Sequence, residues 1–113
     1  DRADAVYNIA HGALVLKALE LGDEKLLRNA MQDKLHQPYR KHMIGDYEAI
    51  EELVRTTGAA FCLSGAGPTL LCITLDEKLE EKLSKKLASI TTAAWQMLPL
   101  HVEFQGAHIL NAE

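Results

Sequence analysis

The sequence predicts an α+β domain, an antiparallel sheet covered on one face by helices, with a ferredoxin-like plait as the nearest common architecture. Three observations carry that expectation. Segments with helical apolar spacing fill the first half of the 113-residue chain. Two short β-prone runs, Ala60 to Leu63 and Leu70 to Thr74, then flank the glycine-rich stretch Ser64 to Thr69. A charged amphipathic segment follows and leads to a further β-prone run, His101 to Phe104.

With 48% hydrophobic residues and only 3 prolines, residues 1–113 are expected to form one domain with its own core. A net charge of -4 without a basic tract argues against a nucleic-acid partner, because neutralising phosphates needs clustered Lys and Arg. No apolar run reaches bilayer length, so no membrane partner is expected. A secretory leader pattern is absent and the 2 cysteines lack metal-ligand spacing, which together fit a reducing cytoplasm. The chain opens at Asp1 and enters a helical pattern almost at once, so it reads as a C-terminal piece of a longer protein.

From Asp4 to Leu21, Val6, Ile9, Ala10, Ala13, Leu14, Leu16 and Leu21 place apolar side chains on most sides of a helix, a pattern that predicts burial against several neighbours. Asp4, Asn8 and His11 make one polar stripe along it, read either as surface and capping contacts or as the wall of a cleft. Gly22 is the expected stop and Asp23 the N-cap of a second helix, Glu24 to Lys34. Pro38 forces a turn, which presents His36, Tyr39 and Arg40 from irregular backbone.

Gly45 and Asp46 punctuate the chain before a third helix from Tyr47 to Thr57, ended by Gly58. If the two β-prone runs pair as a hairpin without a bulge, Phe61 faces Cys72 and Cys62 faces Leu71. That register puts the cysteines on opposite sheet faces as small buried hydrophobes. Asp76 is the expected N-cap of a helix from Glu77 to Ala88, with Leu79, Leu83 and Leu87 inward. Beyond it we expect a strand from about Trp95, disturbed near Pro99, and a short final strand from Ala107 to Leu110.

Two places carry chemistry. Gly65 and Gly67 allow backbone to approach backbone or phosphate closely, although a Gly-x-Gly alone equally suits a plain hairpin connection. Arg40 offers a planar fork for a carboxylate or phosphate, the alternative being a solvated surface arginine. His36 beside it reads as a structural hydrogen-bonder in preference to a base.

Asp4-Ala5-Val6-Tyr7-Asn8, His36-Gln37-Pro38-Tyr39-Arg40 and Ser64-Gly65-Ala66-Gly67-Pro68-Thr69, in this order and spacing, resemble the C-terminal half of the homoserine kinases of the GHMP kinase superfamily. The resemblance covers essentially the whole chain and implies a GHMP C-terminal domain over 1–113. It implies ATP-dependent phosphorylation of L-homoserine to O-phospho-L-homoserine for threonine synthesis, with Mg2+ accompanying the nucleotide. By this likeness Arg40 would bind the substrate α-carboxylate. Gly65, Ala66 and Gly67 would support the nucleotide loop, with Ala66 standing where a serine is often found. Asn8 and His36 would lie near the cleft. No residue of this chain is given a catalytic or metal-ligating role by it. The superfamily's main phosphate loop, of the Pro-x-x-x-Gly-Leu-Gly-Ser-Ser type, does not occur here, so ATP and Mg2+ would be held mainly by an N-terminal domain and the 113 residues alone should be inactive. A homodimer stays open. So do two rival readings, another GHMP small-molecule kinase and an amino-acid-binding regulatory module.

Overall fold

Eight short elements follow one another in the computed structural model, which describes residues 1–109. Helix α1 spans Arg2–Leu21, α2 Glu24–Ala30 and α3 Gln37–Arg40, the last continued by a 3₁₀ turn at Lys41–Met43. Helix α4 covers Tyr47–Arg55, strands β1 and β2 cover Ala60–Leu63 and Leu70–Ile73, and α5 covers Leu79–Ile90. The α+β class with an antiparallel sheet covered by helices is therefore what forms.

The hairpin has the expected register: Phe61 pairs with Cys72 and Cys62 with Leu71. Alternation of side chains along β1 and β2 then sorts the core into two clusters. Ala60 and Ile73 pack with Ala18 of α1 and Leu27 of α2. Phe61, Leu70 and Cys72 pack with Ile50 and Val54 of α4 and with Leu79 and Leu83 of α5. Helices thus cover both faces of the hairpin, where the sequence suggested one. Both cysteines are free and half-buried. Burial pushes the Cys72 thiol up to about 11 and also raises that of Cys62, so both stay protonated.

Several boundaries follow from identifiable contacts. Gly22, left-handed at φ 63°, closes α1, and the Asp23 carboxylate accepts the Leu26 amide at 2.9 Å to open α2. α2 ends at Ala30 instead of Lys34, because the Asp33 carboxylate gathers the amides of Leu35, His36 and Gln37 into a new start. Pro38 accordingly sits in the first turn of α3 and does not create irregular backbone, since an amide hydrogen there would have no intrahelical partner. Asp76 accepts the Lys78 amide and pairs with Lys82, so it shapes the turn before α5 without capping the helix itself.

Two larger departures concern the ends. Of α1 only Ala18 is buried; Val6, Ile9, Leu16 and Leu21 remain exposed, contrary to the expected burial on several sides. Within the described residues the buried cluster that holds α1 draws on Leu26, Leu27 and Met31 on one side and on Ala60 and Ile73 of the hairpin on the other, too few side chains to cover an apolar circumference. The strand expected from about Trp95 is not formed either, nor is one at 107–109; Leu110 lies outside the described residues. β-prone residues need a partner strand, and among the described residues β1 and β2 pair only with each other.

The segment after α5 is anchored all the same. Asp46, left-handed at φ 63°, turns its carboxylate away from α4 and accepts from the Thr92 amide and hydroxyl, each at 2.9 Å, the Ala93 amide at 3.0 Å and Trp95 Nε1 at 3.1 Å. Trp95 and Met97 thereby close over the α4–α5 cluster.

Candidate functional site

The glycine stretch is a six-residue connection whose ends are tied by Ser64 N donating to Thr69 O at 2.9 Å, with an inner turn from Gly67 N to Ser64 O at 3.1 Å. Gly65 and Gly67 both take positive φ, 56° and 78°, a region that L side chains rarely enter. Gly67 is also the more closely packed of the two: a Cβ there would sit 2.9 Å from Leu63 Cδ1 and 3.0 Å from Ile44 Cδ1, side-chain ends that would have to shift, while one on Gly65 would meet nothing within 4 Å. Gly65 and Ala66 are exposed, and their amides donate to no group among the described residues. Two adjacent free amides on a loop without bulk suit an anion such as a phosphate, which is the fit a nucleotide would need.

Arg40 lies against this loop. Its Nη2 donates to the Ala66 carbonyl at 2.8 Å, joining the short α3 helix to the loop across 26 residues of sequence. One guanidinium nitrogen is engaged in this way, and the other donors of the half-buried group make no hydrogen bond among the described residues, which leaves a planar fork suited to a carboxylate or a phosphate. The structure therefore brings Arg40 together with Gly65, Ala66 and Gly67.

What holds α3 in that place is a set of contacts to Asp33 and Gln37. Asp33 Oδ1 accepts from Leu35 N at 2.9 Å, His36 N at 2.6 Å and Gln37 N at 3.2 Å, and its Oδ2 takes the Gln37 amide at 3.0 Å. Partial burial alone would raise the Asp33 carboxyl, but the donors of His36, Gln37 and Leu35 together outweigh it and hold the group below its ordinary value. The Gln37 side chain donates through Nε2 to Met31 O at 3.0 Å and accepts the Leu63 amide through Oε1 at 2.8 Å.

Asn8 and His36 are placed differently. Asn8 Oδ1 accepts the Lys34 amide at 2.9 Å, so it ties α1 to the segment that leads into α3. Lys34 Nζ stands 4.5 Å from the centroid of the Tyr7 ring, and His11 stacks on that same ring at 3.7 Å between centroids. His11 also bonds the Tyr7 carbonyl at 2.9 Å, so the stripe of Asp4, Asn8 and His11 is not one network. His36 is exposed; its carbonyl accepts the Tyr39 and Arg40 amides at 3.1 Å each, and no hydrogen bond among the described residues joins its ring to Arg40 or the loop. The sequence reading missed Asp33 and Gln37. A carboxylate just ahead of a proline-containing first turn was the available sign.

The loop and Arg40 make an open surface. Two depressions lie elsewhere, one between α5 and Trp95, the other between Arg28 and the acidic side of α4. Among the described residues no group of three His, Cys, Asp or Glu gathers as a metal site, and no helix is long and apolar enough to cross a membrane.

A family model described as "GHMP kinases C terminal" matches residues 15–90. The chain is similar to homoserine kinases from Microchaete diplosiphon (40% identical, covering 97% of this chain and 37% of that protein), Crocosphaera subtropica (41%, covering 94% and 35%) and Nostoc punctiforme (44%, covering 84% and 30%). It spans about a third of the length of the curated relatives it matches. No solved structure gives a significant match.

Proposed function

The chain belongs to the GHMP kinases, matching their C-terminal domain, and from that premise we propose that it is the C-terminal part of a cytoplasmic homoserine kinase. The reaction is transfer of the γ-phosphoryl group of ATP to the side-chain hydroxyl of L-homoserine, giving O-phospho-L-homoserine and ADP for threonine biosynthesis. One observation carries the reading: the Arg40 guanidinium stands 2.8 Å from the Ala66 carbonyl, so an amino-acid carboxylate held by Arg40 would lie beside a loop with free amides.

Arg40 binds and orients the substrate through its α-carboxylate, which leaves the side-chain hydroxyl free to point towards the transferred group. Gly65 and Ala66 turn their amides to nucleotide phosphate, and Gly67 keeps the loop close to Leu63 and Ile44. ATP supplies the phosphoryl group, with Mg2+ as its companion. Phosphoryl transfer rests on positioning and charge stabilisation, and these residues provide only one side of it. The other side belongs to an N-terminal domain, and the exposed Val6, Ile9 and Leu16 on α1 support such a neighbour.

Supplying the full-length protein with ATP and Mg2+ and comparing homoserine, mevalonate and galactose tests the reading. Phosphorylation of homoserine well above the other two is expected. Preference for mevalonate or galactose would make it a different GHMP kinase, and homoserine binding with no dependence on nucleotide would make it a regulatory module.

A further inference from the structure

We propose that Gln37 is the positioning residue of this site, fixing α3 to the end of β1 so that Arg40 keeps its place beside the glycine loop. The inference rests on Arg40 being the anchor for the amino-acid substrate.

The geometry is a pair of rungs. Gln37 and Arg40 are three residues apart in one helical turn and so share a face of α3. Leu63 and Ala66 are likewise three residues apart, one at the end of β1 and the other in the loop. Gln37 Oε1 meets the Leu63 amide at 2.8 Å and Arg40 Nη2 meets the Ala66 carbonyl at 2.8 Å, each rung bridging 26 residues of sequence. Because Ser64 N points to Thr69 on the β2 side, the neighbouring Leu63 N points to the outer edge of β1, where no strand lies among the described residues. Gln37 occupies that edge. Its Nε2 holds Met31 O at the end of α2, and its own amide is held by Asp33, so one residue fastens three segments.

The two rungs are unequal in what they have left to do. Arg40 has further donors and meets the substrate, so its contact to Ala66 shares the guanidinium with a ligand. Gln37 has both ends of its amide engaged by the protein and makes no contact that a substrate would replace. It is the rung that keeps the register of α3 against the loop while Arg40 engages a carboxylate. Misplacement by about 1 Å at a reacting centre costs on the order of a hundredfold in rate.

The test is a double-mutant cycle on the full-length enzyme, with Gln37→Met and Gln37→Glu each made alone and with Arg40→Leu. Met keeps the length and removes both hydrogen bonds; Glu keeps the acceptor for Leu63 and loses the donor to Met31. Gln37→Met is expected to lower kcat/KM for homoserine by about ten- to a hundredfold, chiefly through KM. In the Arg40→Leu background either change should add less than about threefold, because the residue acts through Arg40. If Gln37→Met does not fold, as a thermal melt would show, Gln37→Glu carries the same cycle. Losses that multiply in the double variants, or an unchanged KM for homoserine in folded single variants, would overturn the proposal while leaving the kinase reading intact. A wild type that does not phosphorylate homoserine would overturn that reading and this inference with it.

Discussion

Helices α1 and α4 are both rich in apolar residues and use them in opposite ways. α4 concentrates Tyr47, Ile50 and Val54 on one side and buries all three, at 3%, 6% and 1% exposure, against β1 and α5. α1 distributes its apolar residues around the whole circumference and buries only Ala18, leaving Ile9 76% and Leu16 68% exposed. An amphipathic helix is satisfied by one neighbour, whereas one that is apolar all round needs several. α4 therefore completes a core within these residues. α1, under the proposed function, is the face on which the rest of the kinase sits.

The sharpest contrast is in stability. Leu83→Ala opens the floor beneath α4 and should cost about 2–5 kcal/mol, read by urea unfolding of the 113-residue chain. A loss below about 1 kcal/mol would mean that the α4–α5 cluster is not where this chain is held together. The matching change on the other side, Ile9→Ala with Leu16→Ala, should shift the same chain by no more than about 0.5 kcal/mol, since both sites face solvent and alanine favours helix. In the full-length protein the same pair should cost at least about 2 kcal/mol if α1 is covered there. Equal small effects in both would remove α1 as a docking face.

A smaller effect separates the core on the α4 side from the segment strapped to it. The amides of Ala93 and Thr92, then the Thr92 hydroxyl and Trp95 indole, hold the Asp46 carboxyl down at about 2, against an ordinary 3.8. A depressed folded-state value means that this carboxylate stabilises the fold above the ordinary value and that its contribution is lost as pH falls towards about 2. Trp95 fluorescence should therefore report release of residues 92–95 in that acid window, and Asp46→Asn should show the released signal already at neutral pH. A signal unchanged in the variant would mean that the four contacts do not anchor the segment.

How much of this was legible depended on range. The hairpin register, with Phe61 against Cys72, could be read because a six-residue connection and a period of two leave few choices. Gly22 and Asp23 were equally readable, being contacts within a turn. Asp46 appeared only as punctuation, since its partners lie 46 to 49 residues ahead. A helical wheel reports that α1 seeks neighbours and is silent on whether they belong to the same chain. The strand expected near Trp95 failed for a related reason, because propensity cannot supply a pairing partner. Arg40 and the glycine loop each stood out by residue type, but the contact between them and the role of Gln37 exist only once α3 is laid against β1.

The account rests most heavily on what Arg40 holds, and Arg40→Leu in the full-length enzyme measures it directly. Leucine keeps part of the apolar stem and removes the donors; a charge-assisted hydrogen bond contributes about 1.5–3 kcal/mol, which corresponds to roughly ten- to more than a hundredfold in kcat/KM. The account predicts that the KM for homoserine carries most of that loss while the KM for ATP stays nearly level. A raised KM for ATP with unchanged dependence on homoserine would contradict it and make Arg40 a phosphate ligand.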